Sequence, residues 1–157
     1  MMAGAFSRMR VGFAAFLALA GQTPALAQPF VADDLAVDQQ ELGPASMLPD
    51  IAKMSPTEVR EANAGIRAGI ERAFRERGVS VAPAELNVSS VVVNVAGQGV
   101  VKTTVRAPSR FYYQYTGRAK GKAVFVICVS RSGRQFDPSG TECERRVNAV
   151  FGAGERG

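Results

Sequence analysis

Residues 55–78 of this 157-residue chain read SPTEVREANAGIRAGIERAFRERG. Ser55 and Glu58 have the S-x-x-E spacing of a helix capping box, and Pro56 suits the first helical position. Apolar residues then recur at steps of three or four, which places them on one face of a helix; they are Val59, Ala62, Ile66, Ile70, Ala73 and Phe74. The sequence therefore predicts an amphipathic helix over 56–77, which needs an apolar surface to cover it.

That surface is expected downstream, where valine, threonine and aromatic residues alternate with glycine-marked turns. This composition is typical of β-strands. The predicted strands form two hairpins, 87–96 with 100–106 and 110–116 with 122–130. Residues 124–129 are apolar on both faces, which predicts a strand that lies inside the sheet or is covered on both sides. We expect an α+β fold in which the long N-terminal amphipathic helix packs on a mainly antiparallel sheet of about four strands.

A short C-terminal helix over 142–151 is also expected. Apolar residues there fall on one helical face, although Val147, Ala149 and Phe151 also alternate as in a strand. The two cysteines, Cys128 and Cys143, are the only ones in the chain. A lone pair in an oxidising compartment usually forms a disulfide, and closing a loop of about 15 residues stabilises a fold by roughly 3 kcal/mol. Because redox-active pairs have C-x-x-C spacing, we interpret this pair as a structural disulfide that tethers the helix.

The N-terminus has the order of a secretory signal peptide. Arg8 and Arg10 precede an apolar run at 11–20, and Ala25-Leu26-Ala27 forms a small-residue cleavage motif. The apolar run is too short to cross a membrane. We expect cleavage after Ala27, a mature protein without a transmembrane segment, and a location in the periplasm or the secreted fraction.

The remaining boundaries follow from composition. Residues 28–54 carry five carboxylates against one lysine and are predicted to form an acidic, flexible arm with a short helix near 33–42. An alternative is that this arm docks on the basic remainder of the chain. Residues 55–151 are predicted to form a single α+β domain, and 152–157 a flexible, glycine-rich tail.

The residue types restrict the possible chemistry. The chain contains no histidine, which excludes histidine-dependent nucleophilic catalysis and most zinc sites. Glu142 and Glu144 lie two positions apart on a predicted helix, so they do not face each other. No phosphate-binding glycine motif is present. We therefore expect a non-catalytic protein with no metal and no cofactor.

The strongest remaining pattern is electrostatic. Residues 86–136 contain no acidic side chain but eight basic ones. Phe111, Tyr113 and Tyr115 alternate onto one face of a predicted strand, and Tyr112 lies on the other. Such a surface can hold an anionic polymer by charge and stacking. The alternative, which we favour, is that the alternating aromatic residues pack against the helix as core and that the cations discourage strand pairing.

Our leading functional hypothesis is a non-catalytic interaction domain of a bacterial-type cell envelope or secreted fraction that binds another protein. Its candidate binding residues are Arg106, Arg110, Tyr112, Arg118, Lys120 and Lys122. One alternative is binding of an anionic envelope polymer such as lipopolysaccharide or peptidoglycan, with nucleic acid not expected as a partner outside the cytoplasm. A further alternative is a small enzyme or enzyme inhibitor.

Overall fold

A computed structural model describes residues 34–153. The signal peptide predicted at 1–27, the start of the acidic arm and the end of the tail lie outside these residues. The described elements are strand β1 (Leu35–Pro44), helix α1 (Pro56–Glu76), strands β2 (Asn87–Val95), β3 (Gln98–Ala107), β4 (Arg110–Ala119) and β5 (Lys122–Ser130), and helix α2 (Glu142–Ala153). Neighbouring strands are antiparallel, in the order β1-β5-β4-β3-β2.

The α+β architecture is confirmed, but the predicted count of four strands is wrong. The fifth strand is β1, which pairs with β5 from Leu35 opposite Ser130 to Pro44 opposite Lys122. It occupies the segment for which a short helix was expected. Leu35 and Val37 pack on one face of the sheet, so this strand has an apolar face that its acidic composition obscured.

Helix α1 begins at Pro56 as predicted and ends at Glu76, one residue before the predicted end. The Glu58 backbone N–H donates to Ser55 Oγ at 3.2 Å, and the Ser55 N–H donates to Glu58 Oε2 at 2.8 Å. This reciprocal pair satisfies two backbone donors that a helix start leaves free. The chain leaves the helix through Gly78, whose φ of 68° suits glycine.

Strands β3 and β4 are longer than predicted, and the turns of both hairpins are shorter. Val95 pairs with Gln98, which leaves Ala96 and Gly97 as a two-residue turn with φ values of 50° and 91°. Lys120 and Gly121 form a second such turn with φ values of 52° and 76°. Two successive positive φ values give the turn whose twist matches a β-hairpin. Because Ala96 and Lys120 occupy the first positions of these turns, the glycines alone did not locate the turns.

The two helices cover opposite faces of the sheet. On one face, Ile66, Ile70 and Phe74 of α1 pack with Val105, Tyr112, Phe125 and their neighbours. On the other face, Cys143, Val147 and Phe151 of α2 pack with Phe111, Tyr115, Val126 and their neighbours. The strands therefore form the middle of three layers, which explains why β5 is apolar on both sides.

The predicted disulfide is confirmed. Cys128 in β5 and Cys143 in the first turn of α2 are bonded, with their Cα atoms 5.7 Å apart. The bond joins the central sheet to α2, and α2 extends two residues beyond the predicted end at Phe151. A disulfide is consistent with an exported protein. Neither helix within residues 34–153 is both long and apolar enough to span a bilayer.

Candidate interaction edge

Strand β2 lies at one edge of the sheet, with β3 as its neighbour on the inner side. Val95 and Gln98 close a two-residue hairpin turn, so they exchange both of their backbone hydrogen bonds. Because this orientation alternates along an antiparallel strand, odd-numbered residues of β2 point their backbone groups at β3. The N–H and C=O groups of residues 86, 88, 90, 92 and 94 consequently point outward.

Helix α1 covers the beginning of this edge with two side chains one turn apart. Arg67 Nη1 donates to the Leu86 carbonyl at 2.7 Å, and Asn63 Nδ2 donates to the Val88 carbonyl at 3.0 Å. The Ser90 hydroxyl in turn donates to Asn63 Oδ1 at 2.9 Å. These contacts satisfy the outward-facing carbonyls at 86 and 88.

The remainder of the edge, 90–94, is open. Across residues 34–153, nothing bonds to the outward backbone groups of Ser90, Val92 and Asn94. The large hydrophobic side chains that this part of the chain exposes lie at the same place, Val91 at 53% and Val92 at 36%. The open segment therefore combines free backbone donors and acceptors with accessible apolar side chains. We call residues 90–94 the open edge.

The sequence of the open edge does nothing to discourage strand pairing. Residues 86–101 contain neither a charged side chain nor a proline, and β2 pairs with β3 without a register shift. Natural edge strands usually carry charges, prolines or bulges that prevent a further strand from adding. The valine-rich segment 91–93 has strong β-strand propensity instead.

The opposite edge of the same sheet provides the contrast. Strand β1 exposes Asp38 and Glu41, contains a register shift between Glu41 and Gly43, and ends at the exposed Pro44. Each of these features interferes with pairing of a further strand. Of the two edges, only the β2 side is chemically suited to accept another strand.

The six binding residues predicted from the sequence do not form one surface. Tyr112 is 3% exposed and packs beneath α1. Its burial raises the pKa of the phenol far above the usual range, with Arg110 opposing the shift weakly. Tyr112 alternates onto the face of β4 opposite to Tyr113 and Tyr115, as predicted. The face onto which it alternates is covered by α1.

Arg118 connects two segments of the fold by hydrogen bonds. Its Nη2 donates to the carbonyls of Leu48 and Pro49 at 2.7 and 2.9 Å. These bonds tie the segment between β1 and α1 to the end of β4. The guanidinium is therefore already engaged by backbone carbonyls.

Arg106 and Arg110 lie at the same end of the sheet but on opposite faces. The Arg110 guanidinium lies 5.5 Å from the centre of the Phe74 ring on the α1 side. The Arg106 guanidinium lies 5.8 Å from the Phe111 ring on the α2 side and donates to Gln135.

Lys120 and Lys122 are exposed at the opposite end of β4. Ten residues of strand separate the two ends, or about 30 Å at the rise of a β-strand. The structure brings Lys120 and Lys122 together, but it does not bring them near Arg106 or Arg110.

The alternating aromatic residues are core, as favoured, but they pack against a different element. Phe111, Tyr113 and Tyr115 are buried on the α2 side, where Phe136 meets the Tyr113 ring at 5.1 Å. Burial raises the pKa of Tyr115 to about 12, with further increases from Tyr113 and the carboxylates of Glu144 and Asp137. The expected contact with α1 is wrong, because the disulfide-tethered helix occupies this face.

Other features offer less for recognition. A groove of about 180 Å³ lies beside the end of α1, with Phe74, Val79 and Leu86 among its lining residues. Its polar lining residues are Glu71, Arg75 and Ser80, and the Glu71 carboxylate is already paired with Arg67 at 3.0 Å. Within the part of the chain that the structure describes, no three potential metal-ligating side chains come together.

Sequence reasoning missed the open edge, although its signal was present in the uncharged, valine-rich 86–101 region. Strand order was needed to identify β2 as an edge. Comparison with known proteins adds no family: no family model matches the chain, and neither a curated protein nor a solved structure does.

Proposed function

We propose that this chain is an exported, non-catalytic interaction domain that binds an extended polypeptide segment as a sixth strand along the open edge. The observation that carries the proposal is the set of outward backbone groups at Ser90, Val92 and Asn94, next to the exposed Val91. Strand addition is a recurring mode of peptide recognition in which main-chain hydrogen bonds supply affinity and alternate side chains supply specificity.

The energetic argument favours a polypeptide over the anionic polymer considered above. Each backbone hydrogen bond formed at the edge contributes roughly 0.5–1.5 kcal/mol net, and covering the two valines adds the hydrophobic term. The open edge has no cation within it, so charge neutralisation plays no part in this binding mode. Such an interaction should survive high salt, whereas polyanion binding should not.

The compartment is part of the proposal. The disulfide between Cys128 and Cys143 and the signal-peptide pattern of residues 1–27 both support export to the periplasm or the secreted fraction.

Val92→Pro is the decisive variant. The Val92 N–H points away from β3, so proline removes a donor to the incoming strand without removing a bond within the sheet. Val92→Thr is the matched control because threonine keeps the backbone donor and the β-branched shape. The tagged, disulfide-bonded chain and both variants are incubated with native envelope extract and washed across a salt gradient.

We expect the native chain and Val92→Thr to retain a polypeptide through high salt, and Val92→Pro to lose it. Hydrogen exchange at the amides of Ser90, Val92 and Asn94 should slow in the retained complex. Equal retention by Val92→Pro would contradict the proposal, as would recovery of only salt-labile glycan or lipid. Circular dichroism of both variants serves as the control for folding.

A further inference from the structure

The geometry points to a specific occupant of the open edge: β2 of a second copy of this chain, antiparallel about a twofold axis that passes beside Val92. This inference rests on the proposed function and names its partner. The product would be a continuous ten-stranded sheet, five strands from each copy. Because each copy presents the same surface, the interface closes on itself as a dimer.

The backbone groups determine the register. Outward-facing residues can only pair with outward-facing residues, so even positions must lie opposite even positions. With Val92 opposite Val92 of the second copy, Ser90 falls opposite Asn94 of that copy, and Asn94 opposite its Ser90. Every open N–H and C=O of these three residues then forms a hydrogen bond, six bonds in all across the interface. Shifting the centre to Val91 instead pairs Asn94 with Val88, whose carbonyl already accepts from Asn63 at 3.0 Å.

The side chains select the same register independently. Val92 lies opposite Val92 of the second copy on the α1 side of the sheet. On the other side, Val91 lies opposite Val93 of the second copy, and the reciprocal pair forms as well. All three valines thus meet valines, and the most exposed of them, Val91 at 53%, becomes covered. Cross-strand pairs of β-branched residues are favourable neighbours in sheets.

The strength of the dimer contact depends on the charge of β2 and on the length of the open edge. The absence of charge from residues 86–101 means that self-pairing brings no like charges directly opposite each other. Asn63 and Arg67 occupy the edge at 86–88, and the Ala96-Gly97 turn ends it on the other side. Pairing is therefore confined to the open edge, which places this interface at the small end of protein contacts. We expect a reversible, concentration-dependent dimer.

Two cysteine variants test the register. Paired residues in the hydrogen-bonded position of an antiparallel ladder have Cα atoms about 5.5 Å apart, which a disulfide can bridge. Two Val92→Cys chains meet this condition. Two Val91→Cys chains lie offset by two positions along the strands, roughly 8 Å apart, beyond disulfide reach. The native cysteines are bonded to each other and buried, so they do not interfere.

The full chain is first examined by sedimentation over a wide concentration range, with Val92→Pro beside it. We expect the native chain to shift from monomer to dimer as concentration rises and Val92→Pro to stay monomeric. Under mild oxidation, Val92→Cys should give a crosslinked dimer on a non-reducing gel in at least tenfold excess over Val91→Cys.

Preferential crosslinking of Val91→Cys would overturn the inferred pairing. A native chain that stays monomeric at every concentration, without crosslinking of Val92→Cys, would overturn the second copy as partner. In that case, a different polypeptide that the native chain captures and Val92→Pro does not would still support the proposed function. If Val92→Pro captures that polypeptide equally well, strand addition at the open edge is wrong as well.

Discussion

Breaking the Cys128–Cys143 bond should weaken the fold without unfolding it. The bond closes a loop with a sequence separation of 15, for which loss of unfolded-state entropy contributes roughly 3 kcal/mol. Helix α2 also buries Val147 and Phe151 against the sheet, and burial of each such side chain contributes about 1.5–3 kcal/mol. We therefore expect α2 to stay docked after reduction, at a cost in unfolding free energy of about 3 kcal/mol.

The measurement compares the oxidised chain with the same chain after reduction. Both sulfurs are buried, so the bond is reduced in concentrated urea and the protein is refolded with reductant present. Urea unfolding followed by circular dichroism gives the two free energies by linear extrapolation. The comparison isolates the crosslink because the sequence is unchanged. A difference below about 1 kcal/mol would refute the loop-entropy reasoning, and loss of all structure on reduction would refute the independent docking of α2.

Two further predictions concern the backbone and the tyrosines. Gly133→Ala should destabilise the fold by at least about 2 kcal/mol, because its φ is 77° and the new Cβ would lie 2.6 Å from the Ser109 carbonyl. Gly140→Ala, with φ of 74° and open space around it, should cost only about 1–2 kcal/mol in the same urea assay, and equal costs would contradict the clash. Stability should fall as pH rises from about 10 towards 12, since the unfolded chain releases the Tyr115 proton near pH 10 while burial holds its folded pKa at about 12. Tyr115→Phe should reduce this dependence of the unfolding free energy on pH, measured by urea unfolding at several pH values. If the dependence is unchanged, groups other than Tyr115 cause it.

The sequence correctly predicted the secondary-structure elements that depend on interactions between neighbouring residues. The capping residues Ser55 and Glu58 and the apolar stripe of α1 determine that helix without reference to the rest of the chain. The disulfide followed from cysteine number and the expected compartment. Strand β1 was missed because its pairing depends on β5, roughly 90 residues away in sequence, and its own acidic residues resemble those of a solvated segment.

The site residues were predicted less well than the fold. Alternation along β4 correctly separated Tyr112 from Tyr113 and Tyr115, since side chains on a strand point to opposite faces. It could not reveal that a helix covers each face. The basic residues were grouped by their nearness in sequence, whereas the ten-residue strand β4 places Arg110 and Lys120 at its opposite ends.

The sequence by itself determined the α+β class, the position and start of α1 and the presence of the hairpins, because capping, periodicity and turn propensity act over a few residues. The number of cysteines and the expected compartment determined the disulfide. The tertiary structure alone decided the strand order. With that order, the acidic β1 became one edge and the uncharged β2 the other. Whether a strand is an edge depends on which distant segments pair beside it, and this is why the open edge becomes visible only in the folded chain.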